Sequence, residues 1–154
     1  MKDLQNEPGA PTAERADWMG LLARAEPSRV IAWFGETLPE HRLLRGPEVG
    51  LVMVQGRTGG TATPFNLGEM TVTRCSVELA TGTVGHAVVQ GRSKDHARAA
   101  ALLDALLQGE DAPQIRATLL SDLRQIEVDR RTTRAAKAAA TRVEFFTLQR
   151  GEDA

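Results

Sequence analysis

At 154 residues the chain is long enough for one domain, which at that size buries ~68–70% of the surface its unfolded form exposes. Apolar residues make up 42% and charged ones 25%, a globular balance that excludes a disordered chain. Nineteen basic residues against twenty acidic ones leave a formal charge of −1, so no global field draws the chain to nucleic acid or to an anionic membrane.

Cys75 is the single cysteine, so no internal disulfide is expected, and a reducing cytoplasm is. No apolar run approaches the ~18 residues of a membrane span. The opening MKDLQNEPGAPTAE lacks the apolar core of a signal peptide, and residues 1–12 read as a disordered lead-in to one domain over 13–150, with 151–154 as a tail.

Residues 13–25 place Trp18, Leu21, Leu22 and Ala25 at helical spacing. Pro27 suits the first turn of a second helix over 27–38, whose apolar face is Val30, Ile31, Trp33, Phe34 and Leu38, and Pro39 ends it. This aromatic pair fits either a helical hairpin on the core or an arm that docks on a partner. The valine-rich run 48–56 predicts a strand buried on both faces. After the loop RTGGTATP, a long strand is expected within Asn66–Leu79. Ala80-Thr81-Gly82 follows as a three-residue hairpin loop with Gly82 at positive φ, and then a strand over Thr83–Gln90.

A helix over 93–108 carries Ser93 as its cap, Asp95 in its first turn and Gly109 at its end. A longer helix starts after Asp111-Ala112-Pro113 and runs toward Thr141, with Ile115, Leu119, Leu123 and Ile126 as its first apolar face. The segment RVEFFTLQR at 142–150 reads equally as a last strand or a partner-bound tail. The expected class is α+β: an N-terminal helical pair, a small mainly antiparallel sheet and C-terminal helices.

The hairpin loop sets a register in which Glu78 faces Val84, Ser76 faces His86, Arg74 faces Val88 and Val72 faces Gln90. Cross-strand neighbours share a face, so Arg74, Ser76, Glu78, His86 and Gln90 project from one side. Cys75, Val77, Leu79, Ala87 and Val89 project from the other, the core side. The polar side is open to three readings: solvent, a protein interface or a small-molecule site. His41, His86 and His96 fall on separate elements, against a metal site, and Cys75 reads as an inert buried thiol.

The tetrapeptide VQGR closes a strand twice, at Val54–Arg57 and Val89–Arg92. Parallel neighbouring strands would bring both arginines to one rim, and antiparallel ones would place them at opposite ends. The backbone N–H groups around Gly59 and Gly60 beside Arg57 can form an anion nest, and Arg92 precedes a helix N-terminus. There is no Gly-Lys-Ser/Thr, so neither is a Walker loop; plain turn glycines are the competing reading. Arg130, Arg134 and Lys137, with Arg131 adjacent, line one face of the long helix, as a solvated surface or a contact for an acidic partner or polyphosphate. With no tyrosine and 4% aromatic residues, the chain lacks the stacking platform of a single-strand binder.

The block TRCSVELATGTVGHAVVQGRSKDHARAAALLDALL, the upstream GLVMVQGRTGGTATPFNLGEMTVTR, the terminal TRVEFFTLQRGEDA and the early ADWMGLLARAEP together resemble the PhnG family. These are subunits of the bacterial carbon–phosphorus lyase core complex. The resemblance spans roughly residues 14–153 and is weakest between about 109 and 135. It implies a cytoplasmic subunit that works in phosphonate use under phosphate limitation, with PhnI-, PhnH- and PhnJ-like partners and a PhnL-like ATPase. It further implies that the complex transfers methylphosphonate to the ribose C1′ of ATP and displaces adenine. ATP and methylphosphonate are then substrates of the complex, with no cofactor held by this chain alone.

No acid–base pair, nucleophile–base pair or metal cluster stands at recognisable spacing, so no catalytic residue is assigned. Arg57, Gly59, Gly60, Arg74, His86, Gln90 and Arg92 are the candidates for ligand or partner contact. Two alternatives accompany the subunit reading: an autonomous phosphate- or nucleotide-binding module, and a purely structural scaffold.

Overall fold

A computed structural model describes residues 10–141. In chain order they form α1 (Ala10–Arg24), α2 (Pro27–Ala32), β1 (His41–Gly56), a 3₁₀ turn (Thr58–Gly60), β2 (Phe65–Leu79), β3 (Val84–Gln90) and α3 (Lys94–Leu106). The chain continues through α4 (Ala112–Ile115), a π turn (Arg116–Leu120) and α5 (Ser121–Ala140). The three strands make one antiparallel sheet in the order β1-β2-β3, and α3 lies across β2 and β3 with α1 beside it. The α+β expectation holds. Most of the lead-in and all of 142–150 lie outside the described residues, although α1 begins at Ala10, inside the stretch read as lead-in.

The hairpin forms in the register its turn dictates. Glu78 pairs with Val84, Ser76 with His86, Arg74 with Val88 and Val72 with Gln90. Gly82 adopts φ +84, its N–H donates to the Leu79 carbonyl at 2.8 Å, and the Leu79 N–H donates to Thr83 at 2.9 Å. Alternation then sends Thr73, Cys75, Val77 and Leu79 with Ala87 and Val89 into the core. There they meet Ala97, Ala100, Ala101 and Leu102 of α3. Burial pushes the Cys75 thiol up from its ordinary pKa, so it stays protonated, as expected of an inert thiol.

Small side chains let strand and helix approach closely. A Cβ on Gly85 would stand 2.0 Å from the Ala101 carbonyl oxygen and 2.7 Å from the Ala105 nitrogen, so β3 and α3 touch backbone to backbone. This contact sets Asp104 against the strand. Its buried carboxylate accepts from the His86 N–H at 2.8 Å, from the Trp18 indole at 2.9 Å and from both sides of the Arg15 guanidinium at 2.7 and 3.1 Å. Gln108 donates to the Val84 carbonyl at 3.0 Å. Asp104 of α3 and Gln108 just past its end thereby satisfy two of the outward backbone groups of β3, an edge strand that would otherwise be more open to pairing.

His96 ties α3 to the end of α1: its Nε2–H donates to the Leu22 carbonyl at 2.9 Å. At the other end of the strand, Gly91 turns at φ +89, donates to Thr71 at 2.9 Å and accepts from Thr73 Oγ1 at 2.8 Å. Ser93 then caps α3 by accepting from the His96 N–H at 3.2 Å. Along its length α5 meets α1 through ion pairs, Arg124 to Asp17 at 2.6 Å and Arg24 to Glu127 at 3.2 Å. Arg116 of the π turn reaches Glu14 at 2.7 Å and stacks over Trp18. Exposed pairs of this kind fix orientation more than they stabilise.

Four expectations need correction. The 48–56 strand is the far half of a longer β1 and is largely exposed, because the helices cover one face of a three-stranded sheet and β1 lies at its edge. Helix α2 stops at Ala32, where a turn at 33–36 follows with Gly35 at φ +62. Gly109 does not supply a left-handed cap; α3 ends through ordinary turn bonds at Leu107 and Gln108. The long helix carries a π turn, after which Ile126 of its anticipated apolar face is exposed. The N-terminal helices follow the core reading, with Trp18 buried and Trp33 and Phe34 packed on the core.

Gly85→Ala is expected to destabilise by at least ~2–3 kcal/mol, the upper range for overpacking. Asp104→Asn should cost about 2–4 kcal/mol by leaving Arg15 short of its counter-charge. Urea unfolding followed by circular dichroism measures both. A pH effect also follows. Burial lowers the His96 pKa from 6.5, against the raising effects of the Leu22 carbonyl and Glu26. The unfolded chain therefore takes a proton near pH 6.5 that the folded chain takes only at lower pH. Stability is full above that value and falls as pH drops below it. The urea midpoint should fall less between pH 7.5 and 5.5 in His96→Gln than in the parent.

Candidate functional site

The sheet face turned away from the helices carries the polar side chains that alternation placed there. Across the strands the rows run Arg42–Glu78–Val84, Arg45–Ser76–His86 and Glu48–Arg74–Val88. Ser76 Oγ and His86 Nδ1 lie 2.9 Å apart. Arg42 is paired with Glu78, its Nε donating at 3.0 Å, and Arg45 stands 3.8 Å from Glu48. Arg74 has no acidic partner among the described residues. Its Nη2 lies 3.4 Å from where a Gly50 Cβ would be, so the absence of a side chain at Gly50 leaves the guanidinium room. Val88, beside it, is exposed.

The face therefore presents one unengaged arginine, a Ser–His pair and two internally satisfied ion pairs. Opposed charges that neutralise one another do not concentrate a field for a small anion. A Ser–His pair in open solvent, with no third group orienting the imidazole, lacks the constellation of an activated nucleophile. The arrangement is a surface of mixed polar and apolar groups, as interface rims are. An open depression of about 350 Å³ lies at the hairpin end, lined by His41, Arg42, Glu78 and the turn.

Of the candidate residues, Arg74, His86 and Gln90 share this face. Arg57, Gly59 and Gly60 do not join them. Gly59 has φ +63 within the 3₁₀ turn that follows β1, and Arg57 is exposed. The strands bearing the two VQGR segments do run parallel, each antiparallel to β2, yet β2 separates them and they are staggered. Gln55 pairs with Asn66 whereas Gln90 pairs with Val72; six residues along β2 amount to ~20 Å. Arg57 and Arg92 thus belong to different regions. Arg92 is exposed at the corner between Gly91 and Ser93, outside the cap that Ser93 completes. Arg130, Arg134 and Lys137 lie exposed along α5, and Arg131 is held by Glu127 at 2.8 Å.

Arg42, Arg45 and Glu48 are the members of this face that the sequence did not reveal. They sit where Gly46-Pro47 interrupts alternation, and β1 compensates with register shifts at Leu43/Arg45 and Arg45/Glu48. Because Arg74 and His86 are exposed, Arg74→Ala and His86→Ala should each shift the stability of the isolated chain by no more than ~0.5 kcal/mol in urea unfolding.

Comparison with known proteins sets this surface in context. The family described as phosphonate metabolism protein PhnG matches residues 13–151. The chain is 46% identical, over 147 residues covering 94% of each, to the alpha-D-ribose 1-methylphosphonate 5-triphosphate synthase subunit PhnG of Rhizobium meliloti (strain 1021).

Proposed function

The chain belongs to the PhnG family of phosphonate metabolism proteins, and on that premise we propose that it is a non-autonomous subunit of a ribose 1-methylphosphonate 5-triphosphate synthase. The complex transfers methylphosphonate to the ribose C1′ of ATP: a phosphonate oxygen forms the new bond to C1′ as the bond to adenine breaks. PhnI-, PhnH- and PhnJ-like chains are the partners in this reading, a PhnL-like ATPase assists, and the assembly works in the cytosol. Among the described residues no helix is long and apolar enough to cross a membrane.

One observation carries the proposal: the match to a synthase subunit runs along 94% of both chains. The geometry supports a role as surface rather than as catalyst. The outer face has a self-neutralised charge pattern and an unactivated Ser–His pair, and the stagger between Arg57 and Arg92 removes the basis for a single phosphate site built from both. Arg74, His86 and Gln90 are proposed as one contact surface, with Arg92 at its neighbouring corner. Arg57, Gly59 and Gly60 belong to a second surface at the far end of the long hairpin.

Co-expression of the tagged chain with the three partners should recover a stoichiometric complex that releases adenine from ATP in the presence of methylphosphonate. A well-behaved monomer that ignores all three partners would refute the subunit role. In the recovered complex, the double variant Arg74→Ala/His86→Ala should lower adenine release about tenfold, ~1.4 kcal/mol in barrier terms. Unchanged release with unchanged assembly would leave a scaffold. Heat from ATP binding to the isolated chain in calorimetry would instead favour an autonomous nucleotide module.

A further inference from the structure

We propose that the distal ribbon of β1 and β2, residues 49–71, is a docking arm gripped on both faces by an apolar cleft of an unlike subunit. This rests on the subunit reading above and specifies where and how the contact is made.

Beyond the Val72–Gln90 pair, where β3 ends, β1 and β2 continue as two strands down to the Gly56–Phe65 pair. None of the described residues from His41 to Thr71 is buried. On one face, Val49, Leu51 and Met53 are 43%, 61% and 54% exposed. On the other, Val52, Val54 and Met70 lead to Phe65 and Leu67, which are 44% and 67% exposed. A register irregularity beside Leu67 gathers these last two: a Cβ on Gly56 would meet Leu67 at 3.7 Å and Phe65 at 3.8 Å. An isolated two-stranded ribbon is marginal in water, and monomers rarely expose contiguous apolar patches beyond a few hundred Å². The protein blunts its β3 edge with Asp104 and Gln108. Its β1 edge has no lysine or proline between Glu48 and Gly56, so the usual protections of an exposed edge are missing there.

The geometry selects the occupant. Pairing β1 edge to edge with a second copy would leave both apolar faces in water, and stacking face to face would cover one. Covering both takes a two-walled cleft that admits a ribbon ~23 Å long, seven residues at strand rise. The chain's own depressions, about 350 Å³ beside the hairpin turn and about 300 Å³ beside Trp33 and Leu119, are too small, and charged residues line both. Neither depression is a two-walled cleft of that length, so the receptor is placed on an unlike subunit. The partner's chemistry is also constrained. From Val49 to Gln55 β1 carries no charge, and from Phe65 to Thr71 β2 carries only Glu69. Glu69 lies opposite Met53 and has no ion-pair partner among the described residues. The receiving cleft is apolar, with one lysine or arginine set against Glu69.

The test introduces a photo-crosslinking residue at Met53 or at Leu67, on opposite faces, in the complex formed by co-expression with the other synthase subunits. Both positions should yield adducts with the same unlike subunit, and a control at Asp129 on α5 should not. The double variant Leu51→Glu/Leu67→Glu should lower recovered complex at least tenfold while the isolated chain keeps its circular dichroism and melting. Glu69→Arg, which leaves the apolar faces intact, should weaken assembly in the same direction. Adducts with a second copy, adducts from one face only, or undiminished assembly of the double variant would overturn the arm while the subunit reading stands. If the parent chain recovers no other subunit, the subunit reading falls and takes the arm with it.

Discussion

The carboxylate of Asp104 is the fastening on which the rest of the structure depends. It sits fully buried on α3 and binds the Arg15 guanidinium, the Trp18 indole and the backbone N–H of His86, so one side chain joins α1, α3 and β3. An unpaired charge in such a place would be costly; here every bond the carboxylate accepts comes from a different part of the fold or from a cation. The fastening is possible only because Gly85 has no side chain. With backbone touching backbone, a residue as short as aspartate reaches the strand edge. The helices are thereby committed to one side of the sheet, and the other side is left free.

That division explains why a small chain can carry two unlike external surfaces. The helix side is self-contained, with Trp18, Val77, Leu102 and Leu120 in one core. The outer side begins as a polar field around Arg74 and Ser76 and grades into the apolar ribbon beyond Val72. Membership of the PhnG family gives both surfaces a context. A chain that contributes contact area needs a rigid back and an unoccupied front, and the Asp104 junction supplies the rigidity.

The parts of the fold legible in the sequence were those governed by local rules. A three-residue turn with glycine at its third position fixes which residues face each other, and Ser93 before a helical stripe marks a start. The polar face was readable because its register follows from those two strands alone. β1 departs from its sequence expectation for a physical reason: a continuous apolar run reports that side chains avoid water, without saying which chain covers them. Its first half was hidden by Gly46-Pro47 and by bulges that spoil alternation. Asp104 did leave a signal, an acid amid leucines and alanines on a helix stripe, with Arg15 and Trp18 one turn apart on another helix. Pairing those two clues needs the tertiary contact itself.

The π turn at Arg116–Leu120 bears on where this chain can lose a residue. Closing a turn with i→i+5 bonds takes up one residue more than an α-turn, so everything after it is rotated by ~100° from where a straight helix would put it. Downstream of it, Arg124 and Glu127 meet Asp17 and Arg24 of α1 in that rotated phase. The segment therefore acts as a phase setter between two helices. A single-residue deletion there would convert the π turn into α-helix and leave the downstream face in the same phase, whereas a single-residue deletion in the first turn of α5 would swing that face by ~100° away from its partners.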